Sequence, residues 1–326
     1  MGNVGILGLG AYLPSKKLTN FDLEKIVETT DEWIRTRTGI QERRIAALHE
    51  KTSDLATKAA IEALKDAKIS ADKIDLIIVA TISPDSNFPS VACKVQKAIG
   101  ASKATAFDIS AACAGYLYAL TTAKQYVQTG MYKRALVIAA ERITTLIDWK
   151  DRDTCVLFGD GAGACVLGPV KSGGITADFL QAFGDQGELM QVISEETRSP
   201  FHPEKSTYAK LPFVRMQGQE LFKIAVNSMA DAVIKALKKA KIKKEDVDCI
   251  VPHQANDRII TAVAKKLNIP KEKIFINIDK YGNMSAASIA VALYEAKQSK
   301  RIKKGDNVVL VAFGAGLVSA ANVVKW

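Results

Sequence analysis

One cysteine of this chain lies in a setting that suits a nucleophile. Cys113 stands in DISAACAGYLYAL (108–120), where an apolar stretch gives way to a helical pattern and its neighbours are Ala, Gly and Ser. A helix N-terminus favours a thiolate over a thiol, and its free N–H groups can hold the oxyanion of a carbonyl under attack. The small neighbours would let a thioester reach the backbone. We therefore predict an acyl-transfer nucleophile, against the alternative of a small packed hydrophobe.

Two polar residues of the second half occupy places like that of Cys113. His253 ends a predicted strand in CIVPHQAN, and Asn283 in INIDKYGNMSAAS is predicted, like Cys113, to follow a strand and precede a helix. Ligands collect at strand ends in open α/β sheets. We therefore predict that the three side chains converge, although His253 and Asn283 could also be a buried polar pair.

The second feature is an internal repeat. IEALKDAKISADKIDLIIVA (61–80) matches IKALKKAKIKKEDVDCIVPH (234–253) at a constant offset of 173, and each copy reads as an amphipathic helix, a turn and a buried strand. Two further pairs of segments resemble each other in the same order: 130–141 with 305–316, and 158–168 with 313–324. The repeat predicts a duplicated α/β fold with a pseudo-twofold axis.

The predicted halves are residues 1–170, with the cysteine nucleophile, and residues 171–326, with His and Asn. No Pro-, Gly- or Ser-rich linker separates them, so we expect one compact body. The most irregular segment, 182–218, is interpreted as inserted loops near a site.

The composition argues against several classes of protein. The 326 residues are 48% hydrophobic, yet no apolar run approaches the roughly 18 residues of a membrane span, and the N-terminus lacks the basic flank of a signal peptide. We expect a cytoplasmic protein that binds no membrane. Five cysteines without paired spacing favour reduced thiols over disulfides or a metal site. The other four are predicted to be core residues: Cys93, Cys155, Cys165 and Cys249.

The formal net charge is +10, from 45 Lys and Arg against 35 Asp and Glu. The excess is mostly Lys on helical faces such as 235–246, with no basic arm and no interleaved aromatic residues, so we expect no nucleic-acid partner. A basic surface also suits phosphorylated or acidic partners.

Several motifs in order resemble one family. DISAACAG, VPHQAN, GNMSAAS, TTDEWIRTRTGIQERRIA (29–46) and FGDGAGA are similar to the β-ketoacyl-acyl carrier protein synthase III family, and the likeness runs over nearly the whole chain. The resemblance implies the thiolase fold, a five-layered αβαβα duplication, and a homodimer. It implies no cofactor, because acyl-coenzyme A is a substrate.

The family resemblance also implies a reaction. Cys113 would take a short acyl primer, usually acetyl, from coenzyme A, and malonyl on acyl carrier protein would lose carbon dioxide and attack the acyl-enzyme, initiating type II fatty-acid synthesis. His253 and Asn283 would hydrogen-bond the malonyl thioester oxygen as enolate charge develops. Backbone N–H groups of Cys113 and Ala315 would form a second oxyanion hole. Many relatives carry three glycines where this chain has FGAGL, so Ala315 must adopt the required backbone angles.

Binding residues carry over from the same resemblance. Trp33 and Arg152 match a pair that sandwiches adenine. The residues implied for coenzyme A are Thr29, Trp33, Arg37, Arg152 and Asn256; those implied for acidic carrier protein are Arg258, Lys265 and Lys266; those implied for the primer pocket are Phe88 and Phe313. Phe88 matches an aromatic residue that crosses the dimer interface and limits the primer tunnel, which suggests a short primer. The ending AGLVSAANVVKW departs from the aromatic-rich family type and leaves primer length and branching open. Trp33 could instead be ordinary packing, and the basic helix a solvated face.

Several alternatives remain. A thiolase would need a second cysteine near the last glycines. An elongating condensing enzyme would need a second catalytic histidine, whereas the histidines of this chain are His49, His202 and His253. Secondary-metabolite ketosynthases share Cys, His and Asn and are the runner-up, with a different acyl primer. A non-catalytic acyl- or coenzyme A-binding protein is disfavoured by the intact set. The GILGLG start lacks the spacing of a dinucleotide site.

Overall fold

Two large β-sheets organise the chain in a computed structural model that describes residues 2–192 and 213–326. The strands are β1 (Asn3–Tyr12), β2 (Lys16–Thr19), β3 (Glu42–Ile45), β4 (Leu76–Ala80), β5 (Thr105–Ile109), β6 (Ala135–Glu141), β7 (Gly161–Val170), β8 (Gly174–Ala182), β9 (Met190–Val192), β10 (Val214–Met216), β11 (Cys249–Pro252), β12 (Asn307–Gly314) and β13 (Val318–Lys325). The helices are α1 (Asn20–Leu23), α2 (Asp31–Thr38), α3 (Thr52–Ala67), α4 (Val91–Ile99), α5 (Gly115–Gln128), α6 (Arg152–Cys155), α7 (Gly218–Ala240), α8 (Asp257–Leu267), α9 (Ile278–Tyr281) and α10 (Ala286–Gln298).

The two sheets have related strand orders. The first runs β1–β7–β6–β4–β5, with β4 parallel to β5 and β6 and the other pairs antiparallel. The second runs β8–β13–β12–β11, with β11 parallel to β12. The strands of the first sheet lie within 3–170 and those of the second within 174–325. These positions agree with a division into halves at residue 170, which itself stays a prediction.

The sequence repeat forms the same local structure twice. Helices α3 and α7 end at residues in the left-handed region, Lys68 (φ 55°) and Lys241 (φ 57°), which are 173 positions apart. In each copy a 3₁₀ turn follows, and the chain then enters β4 or β11. The prediction of a duplicated α/β unit is therefore confirmed.

The strand predicted before Asn283 is not formed among the described residues of the second half. Before Asn283 the chain makes only a bridge between Ile250 and Ile274, where the first half has β5. The side chain of Gln254 accounts for the difference: its amide donates to the Phe275 carbonyl (3.2 Å) and accepts from the Asn277 N–H (3.0 Å). A side chain thus replaces the neighbouring strand as the hydrogen-bonding partner of this backbone.

The sheets and helices form five layers. Helices α5 and α10 lie between the sheets, α3 and α4 cover the outer face of the first sheet, and α7 and α8 cover the outer face of the second. Alternate residues of β4 point to opposite cores: Ile78 packs in the central layer, and Ile77 packs under α3. The thiolase-type αβαβα arrangement is confirmed. Within the two described ranges, no helix is both long and apolar enough to cross a membrane.

The glycines of the GILGLG start serve packing. A Cβ on Gly10 would lie 2.3 Å from the Ala59 oxygen and the Ala63 nitrogen, and one on Gly8 would lie 2.3 Å from the Ala67 nitrogen. Both glycines therefore let β1 approach the backbone of α3, which gives this motif a structural reason that needs no nucleotide.

We predict that Gly10→Ala lowers the free energy of unfolding by about 1–3 kcal/mol, because the added methyl group must push α3 off the sheet. Urea unfolding monitored by circular dichroism measures the change. Gly184→Ala is the matched control, since no atom lies within 4 Å of its added Cβ. Equal stability of the two variants would contradict the close-packing explanation.

Candidate active site

Cys113 lies where the first half meets the second. It follows β5 in a 3₁₀ turn, Ala112–Ala114, that leads into α5, and the turn is held with Ala112 at φ 43°. Its side chain is buried, and burial raises the pKa of the Cys113 thiol to about 12. Desolvation thus opposes the effect of the helix N-terminus, which the sequence predicts to favour a thiolate.

Asn283 is held by backbone on both sides. Its N–H donates to the Leu157 carbonyl (2.8 Å), and its carbonyl accepts from the Gly159 N–H (3.0 Å). Its side-chain oxygen accepts from the Ser285 N–H (2.8 Å), which leaves the amide NH₂ available as a donor. The turn into α10 thereby fixes the orientation of the side-chain amide.

His253 follows β11 directly, as the sequence predicts. The backbone N–H of His253 donates to the Val311 carbonyl (2.7 Å) of the neighbouring strand. Burial lowers the pKa of His253 to about 3, so the imidazole is neutral at physiological pH and has one N–H to donate. Its Nδ1 has no hydrogen-bond partner among the described residues.

Two cavities meet at Cys113. The smaller, of about 160 Å³, contains the three residues predicted to be catalytic; its polar and aromatic lining includes Cys113, His253, Asn283, Asn256, Phe222 and Phe313. The larger, of about 840 Å³, is lined by Cys113 and by residues that include Thr81, Asp108, Tyr118, Ser285 and Ala315. The structure therefore brings the three side chains to one cavity and makes Cys113 a lining residue of both cavities.

The FGAGL loop shows which glycines the site requires. A Cβ on Gly314 would lie 2.7 Å from the Cys113 nitrogen and 3.0 Å from the Ala114 nitrogen. Gly316 has φ 137°, a conformation that other residues rarely adopt, whereas Ala315 has no positive φ. Alanine at 315 is thus compatible with the backbone beside Cys113.

The residues predicted to bind adenine lie together on the surface. The guanidinium carbons of Arg37 and Arg152 lie 4.9 and 4.7 Å from the centroid of the Trp33 ring. Arg152 also donates to the Glu28 carbonyl (3.2 Å), beside Thr29, whose hydroxyl is buried without a partner among the described residues. At 4.7 Å from the ring centroid, the Arg152 guanidinium leaves no space for a purine between itself and Trp33, so a sandwich around adenine would require this side chain to move away from the indole.

The predicted carrier-protein residues are exposed on α8. Arg258 lies in the first turn, and Lys265 and Lys266 lie in the last. The side chain of Asn256 caps this helix by accepting from the Arg258 N–H (2.9 Å). Since Asn256 also lines the smaller cavity, the basic helix begins at the edge of that cavity.

The two residues implied for the primer pocket differ in their surroundings. Phe313 lines the smaller cavity with His253, and Phe88 is 85% exposed, as an aromatic residue that crosses a dimer interface would be on a single chain. Cys93 is exposed on α4 and is not a core residue, because it lies on the outward face of that helix; Cys155, Cys165 and Cys249 are buried.

The irregular segment 182–218 contributes Ala182, Met190–Val192 and Val214 to the larger cavity. Its residues 193–212 lie outside the described ranges.

The sequence alone missed Glu141 and Ser285. Glu141 is completely buried at the end of β6, and burial raises the pKa of its carboxyl to about 7. It accepts hydrogen bonds from the hydroxyls of Ser83 (2.5 Å) and Thr81 (3.2 Å) and from the Ile82 N–H (3.2 Å). The sequence does contain one indication of this buried carboxyl, because an acidic residue ends the otherwise apolar run ALVIAAE.

The chain matches two family models: 3-oxoacyl-[acyl-carrier-protein (ACP)] synthase III over residues 107–184, and the C-terminal model of the same family over 237–326. It is 54% identical to beta-ketoacyl-[acyl-carrier-protein] synthase III of Caldanaerobacter subterraneus subsp. tengcongensis, over 99% of this chain and 97% of that protein.

Solved structures agree. The crystal structure of 3-oxoacyl-[acyl-carrier-protein] synthase III from Aquifex aeolicus VF5 superposes with a TM-score of 0.93 at 48% identity, covering 99% of this chain and 100% of that one. The priming beta-ketosynthase from the R1128 polyketide biosynthetic pathway has a TM-score of 0.92 at 34% identity, with 99% and 96% covered. With sequence and fold matched over the whole chain, the protein belongs to the 3-oxoacyl-[acyl-carrier-protein] synthase III family of acyl-transferring condensing enzymes.

Proposed function

We propose that the protein condenses a short acyl-coenzyme A, with acetyl as the expected primer, with malonyl-acyl carrier protein. The products are 3-ketoacyl-acyl carrier protein, carbon dioxide and coenzyme A, and the reaction initiates type II fatty-acid synthesis. The observation that carries the proposal is the position of Cys113. It lines both cavities, and His253 and Asn283 line the smaller one with it.

In the first half-reaction the Cys113 sulfur attacks the primer thioester. The carbonyl oxygen becomes an oxyanion, which the N–H groups of Cys113 and Ala315 stabilise. The bond from the carbonyl carbon to the coenzyme A sulfur breaks, and the acyl group stays on Cys113. The larger cavity gives the acyl chain a place beyond the thiol.

In the second half-reaction malonyl-acyl carrier protein enters the smaller cavity. His253 and Asn283 donate hydrogen bonds to the malonyl thioester oxygen, which gains charge as carbon dioxide leaves. A neutral imidazole suits this task, because an imidazolium would protonate the carbanion that must attack the acyl group. The depressed pKa of His253 keeps it neutral.

Substrate delivery uses the surface residues. Trp33, Arg37 and Arg152 stack on adenine, with Thr29 and Asn256 completing the coenzyme A contacts, and the basic side chains of α8 attract acidic carrier protein. We further propose a cytoplasmic homodimer without a cofactor, in which Phe88 reaches the partner's primer tunnel. Its 85% exposure on the isolated chain leaves it accessible for such a contact.

A second candidate differs only in the primer. The likeness to a priming ketosynthase of polyketide synthesis, together with a larger cavity of about 840 Å³, supports an acyl primer other than acetyl. Both candidates use Cys113, His253 and Asn283 in the same roles.

Acylation distinguishes these candidates. After mixing with a panel of acyl-coenzyme A thioesters, intact-protein mass spectrometry with peptide mapping is expected to show a short acyl adduct on Cys113 that malonyl-acyl carrier protein discharges. Cys113→Ser should abolish condensation with acetyl-coenzyme A. An adduct only with longer groups would favour the second candidate, and no adduct would contradict both.

Asn283→Ala is expected to slow malonyl decarboxylation by roughly 100-fold, because one donor to the enolate oxygen is lost. Acylation of Cys113, measured by rapid quench, should change far less. Release of labelled carbon dioxide measures the first rate. Equal losses in both half-reactions would reject this division of labour.

Gly314→Ala is expected to abolish acylation, because its Cβ would lie 2.7 Å from the Cys113 nitrogen and displace the N–H groups around the oxyanion. Ala315→Gly is the matched control and should keep acylation within about threefold of the original chain, since both alanine and glycine can occupy position 315 without backbone strain. Full acylation by Gly314→Ala, measured by mass spectrometry, would contradict the close approach.

A further inference from the structure

One segment of the chain forms much of the wall of the larger cavity. Residues 81–87 lie between β4 and α4, and they contribute these lining residues: Thr81, Ile82, Pro84, Ser86 and Asn87. The segment forms neither helix nor strand, so no ladder of backbone hydrogen bonds fixes the position of this wall. Side chains of neighbouring elements take that role.

Glu141 holds the first part of the segment. In the described part of the chain, every hydrogen bond that its carboxyl group accepts comes from residues 81–83. Oε2 accepts from the Ser83 hydroxyl (2.5 Å), the Thr81 hydroxyl (3.2 Å) and the Ile82 N–H (3.2 Å). Oε1 accepts only from the Ile82 N–H (3.3 Å). One oxygen of a completely buried side chain thus fixes three consecutive residues.

Residues 83–85 are tied to two helices as well. The Ser83 carbonyl accepts from the Thr52 hydroxyl of α3 (2.5 Å). Lys94 of α4 donates to the Asp85 carboxylate (3.1 Å). Helix contacts therefore hold the later part of the segment, and the carboxyl group at the end of β6 holds the earlier part.

We propose that Glu141 determines which acyl primer the larger cavity accepts, by fixing residues 81–83 in its wall. The inference rests on the proposed function, in which the acyl group on Cys113 extends into that cavity. Glu141 lines neither cavity and is therefore a positioning residue that acts through its neighbours. A wall that stays in place excludes extra methylene groups, whereas a wall that can move admits them.

Competition between two primers measures this selectivity in the full chain. The protein is mixed with equal concentrations of acetyl- and hexanoyl-coenzyme A, and intact-protein mass spectrometry gives the early ratio of the two adducts on Cys113. Glu141→Ala removes the acceptor of residues 81–83, and we expect the discrimination between the primers to fall about tenfold. Release of labelled carbon dioxide from malonyl-acyl carrier protein should stay within about threefold, because His253 and Asn283 line the smaller cavity.

Glu141→Gln is the conservative variant. Its amide oxygen can take the place of Oε2, so we expect it to keep the original discrimination within about twofold. If Glu141→Ala does not fold, Ser83→Ala carries the experiment, because it removes the shortest of these hydrogen bonds. Its discrimination should fall about threefold.

Glu50→Ala is the matched control. Glu50 is also buried, and it accepts hydrogen bonds from three groups that line neither cavity: the Tyr12 hydroxyl (2.6 Å), the Ala47 N–H (3.0 Å) and the Lys58 ammonium group (2.7 Å). Its variant is expected to lower thermal stability and to leave the ratio of adducts unchanged. The proposal is overturned if Glu141→Ala keeps the original discrimination, or if the control shifts the ratio as far. If the unaltered chain forms no acyl adduct, the proposed function is contradicted instead.

Discussion

Burial of the Cys113 thiol between two half-molecules is the constraint on which the rest of the site depends. Removing the sulfur from water makes its thiolate costly and raises the pKa of the thiol. Charge that develops during the reaction must therefore be met by groups already in place. The backbone N–H groups near Gly314, the neutral imidazole of His253 and the amide of Asn283 are such groups, and they need little reorganisation.

The second half positions its donors through a set of bonds around α10. Tyr281 donates to one oxygen of Glu295 (2.5 Å), and Asn277 donates to the other (2.9 Å). The Asn277 N–H in turn bonds the side chain of Gln254, next to His253. The turn that carries Asn283 and the loop that carries His253 are thus tied to the same helix, which explains how two distant segments keep a common geometry.

Two turns of the site contain unusual backbone. Ala112 and Ser285, on either side of the thiol, both have positive φ without being glycine, a conformation that costs on the order of 1 kcal/mol or more for such a residue. Close packing holds them: Gly163 allows β7 to approach Ala290 of α10, and Gly314 allows β12 to reach the Cys113 turn. Small residues in the central layer therefore support the strained turns of the site.

The sequence by itself determined the duplicated fold, because helix and strand periodicities are local and recur at an offset of 173 residues. It also placed Cys113 before a helix and His253 after a strand. Only the tertiary structure decided that Gln254 replaces a strand before Asn283 and that Cys93 faces outward. It also decided that a Cβ fits at position 315 but not at position 314. The protonation states of Cys113 and His253 likewise depend on desolvation. These quantities are set by segments far apart in the chain, and no local pattern records them.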